Sequence, residues 1–143
     1  MIDFAKLKDM REDMDLSQEK MAEILGVKRS TYSLWELGIN IIPLRSLSNF
    51  ADYFNVSMDY VIGRSNNRKA ITNNKGLNLK QLGNNMKEIR TKNGLSQAEV
   101  AKILDVSQAC INKYEKGLIC ISFSNLYKFA TKFNVPIDEL CRK

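Results

Sequence analysis

The feature that most constrains the fold is an internal duplication. Moving the first half of the chain along by 79 positions, without a gap, places Leu16–Gly38 on Leu95–Gly117. The same register continues toward the end of the chain, where residues 54–56 (FNV) fall on residues 133–135 (FNV). Roughly a third of the paired positions are identical, and most of these are apolar. An ungapped match of this length predicts a tandem repeat of one small domain.

The segment Leu95–Gly117 predicts two short amphipathic helices joined by a turn of three or four residues. Ser96 and Glu99 have the three-residue spacing of a capping box at a helix start. The apolar residues after them recur at helical spacing, and Val100, Ala101, Ile103 and Leu104 are expected to form one apolar face. Ser107 is expected to cap the second helix. Gly117 ends that helix where a left-handed residue is needed.

The second of these helices has an apolar side and a polar side. Ile111 and Tyr114 are expected to face the core. The opposite side consists of two amides, a small residue and a cation: Gln108, Ala109, Asn112 and Lys113. A helix face of this kind is suited to reading base edges in the major groove of DNA.

Composition and periodicity indicate an all-α fold. The chain has only two prolines, and no strand-like alternation persists. Five helices are expected in each repeat. They lie at 4–14, 18–25, 29–37, from Pro43 to about residue 54, and 58–62 in the first repeat, and at 79–93, 97–104, 108–116, 123–133 and 137–142 in the second. Two domains, 1–64 and 79–143, are expected to be joined by a polar, asparagine-rich linker, 65–78.

Several classes of protein are disfavoured by the residue content. No apolar run approaches the roughly 18–20 residues that span a bilayer, and the first residues lack the order of a signal peptide. No membrane partner is therefore expected. The three cysteines, an odd number and all in the second repeat, indicate a reducing compartment rather than a disulfide scaffold, so a cytoplasmic protein is expected. The chain has no histidine, and Cys110, Cys120 and Cys141 lack the spacing of metal ligands. They are expected to be small buried hydrophobes, so no metal site is expected.

An enzyme is also disfavoured. The sequence has no glycine pattern that would cradle a phosphate, and no plausible pair of nucleophile and base. No cofactor is expected, and no third domain that could sense a small molecule is evident.

Charge is unevenly distributed along the chain, whose net charge is +6. Residues 1–64 contain 8 Lys/Arg and 10 Asp/Glu, a net charge of −2. Residues 65–78 add a net charge of +3, and residues 79–143 contain 11 Lys/Arg and 6 Asp/Glu, a net charge of +5. The positive field that would attract a polyanion therefore belongs to the linker and the second repeat.

With five helices and these motifs in each repeat, the chain resembles the Cro/cI-type helix-turn-helix family, also called XRE or lambda-repressor-like. The matching segments are LSQEKMAEILGV, WELG and FADYFNVSMDYVIGRS in the first repeat, and LSQAEVAKILDVS, YEKG and FNVPIDEL in the second. The resemblance implies two tandem five-helix domains and a sequence-specific transcriptional regulator that binds double-stranded DNA. Most members of the family are repressors, which makes a repressor the expectation.

The resemblance also implies a DNA-binding face in each repeat. The family's glutamine, which bonds a phosphate and supports the recognition helix, corresponds to Gln18 and Gln97. The recognition faces implied are Lys28, Arg29, Ser30, Ser33 and Leu34 in the first repeat, and Ser107, Gln108, Ala109, Asn112 and Lys113 in the second. Arg29 has the chemistry to pair with guanine, and Gln108 or Asn112 with adenine. The alternative for each of these residues is a side chain that is merely solvated.

The resemblance further implies one structural ion pair in each repeat. Arg11 and Arg90 correspond to the family's arginine on the first helix. Their expected partners are Glu36 and Glu115, at the end of the recognition helix.

Two departures from the family pattern leave a second function open. Leu34 is apolar at a position that often contacts bases. The segments after the recognition helices, where the family has basic or polar residues, contain Ile39, Ile41, Leu118, Ile119 and Cys120. If exposed, these residues indicate an interface between the repeats, within a homodimer or with another protein; otherwise they fold back over the core. The alternative function is a protein-interaction module of the antitoxin or anti-repressor type.

Overall fold

The computed structural model describes residues 2–69 and 75–142. All regular secondary structure in these residues is helical. The chain divides into two compact units, Met1–Ile71 and Thr72–Lys143, called repeat one and repeat two below. The described residues of each unit form five helices. The predicted fold class, all-α with two tandem five-helix repeats, is confirmed.

The helices begin and end within one or two residues of the predicted positions. In repeat one they are α1 (Ala5–Asp13), α2 (Gln18–Leu25), α3 (Arg29–Glu36), α4 (Leu44–Phe54) and α5 (Met58–Val61). In repeat two they are α6 (Leu79–Lys92), α7 (Gln97–Leu104), α8 (Gln108–Glu115), α9 (Phe123–Lys132) and α10 (Ile137–Arg142). The helix α6 begins five residues earlier in the repeat register than α1, so repeat two has an additional turn at its start.

The predicted caps explain where the helices of the second repeat start. The Ser96 hydroxyl accepts a hydrogen bond from the Glu99 amide at 3.1 Å, and the Glu99 carboxylate accepts one from the Ser96 amide at 3.0 Å. This is the complete capping box. The Ser107 hydroxyl accepts from the Cys110 amide at the start of α8. Each such cap satisfies an amide that the helix leaves unpaired.

The two repeats share their left-handed turn positions, as a duplicated fold requires. Gly38 and Gly117 have φ of 74° and 72°, and Asn55 and Asn134 have φ of 54° and 53°. Glycine and asparagine adopt this conformation at low cost. The predicted stop at Gly117 is therefore confirmed.

Each repeat encloses its own apolar core. In repeat one the fully buried side chains include Leu7, Met21, Tyr32, Leu47 and Phe50. In repeat two they include Met86, Val100, Ile111, Leu126 and Phe129. These residues come from the first four helices of each repeat, so the packing of α1 or α6 against the helix-turn-helix holds the third helix in place.

The predicted apolar face of α7 is not uniformly buried, and one expectation about burial was wrong. Ile103 of that face is 36% exposed, whereas Val100, Ala101 and Leu104 are buried. The cysteines were expected to be buried. Only Cys141 is buried, while Cys110 is half-buried and Cys120 is exposed.

The first residues of the expected linker lie against repeat one. The Ser57 amide donates to the Arg68 carbonyl oxygen at 2.9 Å, and the Arg68 guanidinium lies 5.3 Å from the centre of the Tyr60 ring. The linker was expected over residues 65–78, and its residues 70–74 lie outside the described residues.

One buried glycine was missed by sequence reasoning. Gly83 lies inside α6, where a Cβ atom would come within 2.2 Å of the Tyr114 carbonyl oxygen and 2.7 Å of the Glu115 carbonyl oxygen. The absence of a side chain therefore allows α6 to pack directly on the end of α8.

We expect Gly83→Ala to destabilise repeat two. Alanine favours a helix interior by about 0.5–1 kcal/mol over glycine, but overpacking of this kind costs about 1–3 kcal/mol. Backbone carbonyls cannot move aside as a flexible side chain can, so the steric cost should prevail. Urea denaturation followed by circular dichroism would measure the decrease in stability. The control is Gly94→Ala, where an added Cβ has no neighbour within 4 Å and only the left-handed backbone, φ 70°, is strained. Equal or higher stability of Gly83→Ala would contradict the close packing.

Candidate nucleic-acid interface

The recognition helix of repeat two, α8, presents its polar side to solvent. Ile111 and Tyr114 are buried, which fixes the rotation of the helix. The residues on the opposite side are exposed at Ser107, Gln108, Ala109 and Lys113 and half-buried at Asn112. The five residues that the resemblance places at DNA thus lie on one accessible helix face.

The corresponding helix of repeat one, α3, is rotated in the same way but is chemically different. Tyr32 and Trp35 are buried, whereas Lys28, Arg29 and Ser30 are exposed and Ser33 and Leu34 are half-buried. Lys28 is the N-cap residue and makes no side-chain capping bond. The Ser33 hydroxyl donates to the Ser30 carbonyl oxygen at 3.1 Å, so its proton is already engaged within the helix.

An ion pair connects the first and third helices of each repeat. In repeat one the Arg11 Nε and Nη2 atoms donate to the two Glu36 carboxylate oxygens at 2.6 and 3.0 Å. The same bonds join Arg90 to Glu115 at 2.6 and 3.0 Å. Both pairs are bidentate, the strongest geometry for arginine and carboxylate.

The same carboxylates also hold the glutamines that begin α2 and α7. The side-chain amide of Gln18 donates to Glu36 at 3.0 Å, and that of Gln97 donates to Glu115 at 3.0 Å. Both glutamines remain half-exposed. The structure therefore connects each of them to the end of the recognition helix, and neither residue is fully buried.

Acidic conditions should destabilise repeat one through Glu36. Burial raises the pKa of the Glu36 carboxyl, but hydrogen bonds from groups including Arg11 and Gln18 outweigh burial and hold that pKa below its usual value of 4.5. Because the folded-state pKa is lowered, the stabilisation is complete above the unfolded pKa and is lost as pH falls through the folded one.

The comparison of wild type with Glu36→Gln measures this contribution. Trp35 is the only tryptophan of the chain and lies in repeat one, so its fluorescence reports on that repeat. We expect the wild-type thermal midpoint to fall more steeply below about pH 5 than that of Glu36→Gln, which should already be lower at pH 7. Parallel pH curves would contradict a role for this carboxylate.

The apolar segments after the recognition helices are exposed. Ile39 and Leu118 are each 66% exposed, and Ile41 and Ile119 are 49% and 39% exposed; Cys120 is exposed as well. The sequence left open whether these residues are exposed or fold back over the core. The structure excludes the second possibility, because the residues that cover the core here are Ile42 and Ile121.

Sequence reasoning missed one member of this surface. Leu37 is 69% exposed and lies directly after α3, at the register position of Lys116 in repeat two. That substitution of an apolar for a basic residue between the repeats was the signal that could have identified it. The exposed segment that follows the recognition helix therefore begins with an apolar residue, Leu37, in repeat one and with a cation, Lys116, in repeat two.

Residues 2–69 and 75–142 contain neither a membrane span nor a metal cluster. None of the helices there has the length and apolarity required to cross a membrane. Nor do these residues bring together three or more histidine, cysteine, aspartate or glutamate side chains that could hold a metal ion.

Comparison with known proteins gives the same family for both repeats. The family model described as Helix-turn-helix (HTH_3) matches residues 7–61 and 86–140. The chain is 35% identical over 63 residues to the uncharacterized HTH-type transcriptional regulator YqaE of Bacillus subtilis, covering 44% of this chain and 54% of that protein. It is 30% identical over 61 residues to the cryptic phage CTXphi transcriptional repressor RstR of Vibrio cholerae, covering 43% and 55%. The chain thus spans about half the length of these relatives.

A similar solved structure is the restriction-modification controller protein C.AhdI from Aeromonas hydrophila. It is 31% identical, with a TM-score of 0.41, and the match covers 43% of this chain and 94% of that one.

Proposed function

The chain belongs to the helix-turn-helix (HTH_3) family of DNA-binding transcriptional regulators, and from this premise we propose that it is a sequence-specific repressor. The observation that supports this best is the outward-facing row of polar side chains on α8, held in orientation by the bidentate pair of Arg90 with Glu115. The name of the Vibrio cholerae relative, a transcriptional repressor, supports repression rather than activation of transcription. We further propose that the protein is cytoplasmic and has no enzymatic activity.

The proposed roles of the site residues follow from their chemistry. Gln108 and Asn112 contact base edges, for which a side-chain amide paired with adenine is suited. Arg29 does the same at guanine in repeat one. Gln18 and Gln97 contact phosphates with the part of the amide that the glutamate does not engage. Contacts to phosphates set the position of the helix, and contacts to bases set the sequence.

The proposed domain organisation is 1–64, a linker at 65–78, and 79–143. Half-sites one turn apart on DNA are about 34 Å from centre to centre. Because the Arg68 carbonyl oxygen is bonded to repeat one, the part of the linker that can extend is at most residues 69–78, which reach about 33–36 Å. One chain is therefore able to place two different recognition helices on one DNA site.

Selection of genomic DNA fragments by the purified chain tests this proposal. We expect an enriched site whose two halves differ, because the sequences KRSTYSLW and SQACINKY present different side chains. A reporter gene bearing that site should then be repressed by the protein. A strictly palindromic site would instead indicate a homodimer that uses one repeat of each chain.

A second function is favoured by a specific observation, the exposure of Leu37, Ile39, Ile41 and Leu118. Large exposed apolar side chains in adjacent positions are typical of protein interfaces. The alternative is therefore a protein-interaction module of the antitoxin or anti-repressor type. Failure of the purified chain to enrich any DNA sequence would contradict the repressor and favour this alternative.

A further inference from the structure

A cleft of about 300 Å³ in repeat two lies between α6 and the end of α8. The residues that line it are mostly cationic or amide-bearing: Lys80, Asn84, Lys87, Gln97, Asn112, Glu115 and Lys116. Two of them, Gln97 and Asn112, belong to the proposed DNA-binding face, so the cleft is continuous with that face. The three lysines and Asn84 have no role in the function proposed above.

Two glycines bring the walls of this cleft together. Gly83 allows α6 to approach the Tyr114 and Glu115 carbonyl oxygens. At Gly117, with φ of 72°, a Cβ atom would come within 2.8 Å of the Lys80 Cα atom. The backbones of α6 and of the residues after α8 are therefore in direct contact, which places Lys80 and Lys116 beside the same space.

The cleft is electropositive, although a carboxylate lines it. Glu115 accepts both hydrogen bonds of the Arg90 fork and one from Gln97, so its charge is already compensated. In the part of the chain that the structure describes, the ammonium groups of Lys80, Lys87 and Lys116 form no ion pair. Cations held around one space repel each other until an anion lies between them.

We propose that this cleft binds a phosphodiester group of the DNA backbone beside the groove that α8 enters. The inference rests on the proposed function and adds a contact to it. Lys80, Lys87 and Lys116 supply the charge, and Asn84 supplies an amide donor. The additional turn of α6 thereby extends the DNA-binding surface of repeat two beyond its helix-turn-helix.

Repeat one lacks the same arrangement. The register positions of Asn84 and Lys116 are occupied there by Ala5 and Leu37. Lys8 remains at the position of Lys87. The proposed phosphate cleft therefore distinguishes the two repeats, in the direction that their net charges indicate.

The test is the salt dependence of binding by the full-length chain. A fluorescent duplex with the selected site, and one of unrelated sequence, are titrated at several salt concentrations. The triple variant Lys80→Gln, Lys87→Gln, Lys116→Gln is compared with a control that replaces three exposed lysines elsewhere in repeat two, at Lys102, Lys128 and Lys132. Circular dichroism establishes that both variants keep the wild-type thermal midpoint.

For the cleft variant we expect the slope of log K against log salt concentration to become shallower by about 0.9 for each phosphate that the protein no longer neutralises. Affinity for both duplexes should fall by a similar factor, since phosphate contacts do not read sequence. The control should retain a slope close to wild type. An equal change in both variants, or no change in the cleft variant, would overturn the inference while leaving DNA binding intact. If the unaltered chain binds neither duplex, the proposed function fails, and the inference fails with it.

Discussion

Glu115→Ala should lower the thermal midpoint of repeat two and the affinity for DNA together. The Arg90 and Glu115 side chains are only 11% and 5% exposed, so removing the carboxylate leaves a largely buried guanidinium without its partner. Loss of one member of a buried pair costs about 3–5 kcal/mol, a large fraction of the stability of so small a domain. Gln97 loses the same acceptor, so the start of α7 and the end of α8 are released together. DNA affinity should fall because the orientation of α8 is no longer fixed.

Two further variants separate the ion pair from the loss of a negative charge. Glu88→Ala removes an exposed glutamate of α6 and should leave the free energy of unfolding within about 0.5 kcal/mol of wild type. Replacing both partners, as Arg90→Met with Glu115→Leu, should recover much of the stability, since apolar residues of similar volume often replace a buried pair at little cost. Wild-type stability of Glu115→Ala would show that the pair is only a surface contact.

The elements that the sequence predicted well are those decided by local chemistry. Ser96 with Glu99 and Ser107 gave the starts of α7 and α8, because a cap depends on residues within one helical turn. The repeat register then transferred the same boundaries to the other half of the chain. The left-handed residue at Gly117 was predicted on the same grounds.

The features that could not be predicted from the sequence depend on which surfaces pack against each other in the folded domain. Gly83 reads as an unfavourable residue in a helix until the Tyr114 carbonyl is known to lie against it. The same applies to the exposure of Ile103, whose spacing fits the apolar face of α7. Cys120 was expected to be buried, but it follows a helix end where the chain passes over the surface before Ile121 turns inward. Burial at such edges is decided by tertiary packing.

The candidate site was predictable only in part. The arginine–glutamate pairs were expected from the resemblance, since neither partner has a local signal that connects positions 25 residues apart. The roles of the recognition residues at DNA stay predictions. The lysine cleft required the structure, because Lys80 and Lys116 come together only through the packing of α6 on α8.

Repeat two is expected to supply most of the affinity for DNA. Repeat two, residues 72–143, has a net charge of +6, against zero for repeat one, residues 1–71, and phosphate contacts dominate the affinity of proteins for duplex DNA. The structure adds two local reasons. Ser107 caps α8, whereas the N-cap of α3 makes no side-chain bond. Ser33 is engaged within its own helix, and Leu34 has no polar atom for a base.

Variants of the full-length chain can decide between the repeats. Gln108→Ala with Asn112→Ala removes both amides of the α8 face without changing the charge. Removal of each bidentate pairing with a base should cost about 1–3 kcal/mol, and about 1.4 kcal/mol corresponds to a tenfold change in Kd. The repeat-one variant, Arg29→Ala with Ser33→Ala, also removes a cation, so this comparison is biased against our expectation. We expect the α8 variant nevertheless to lose at least about tenfold more affinity for the selected site. A larger loss in the α3 variant would show that repeat one, despite its lower net charge, holds the DNA.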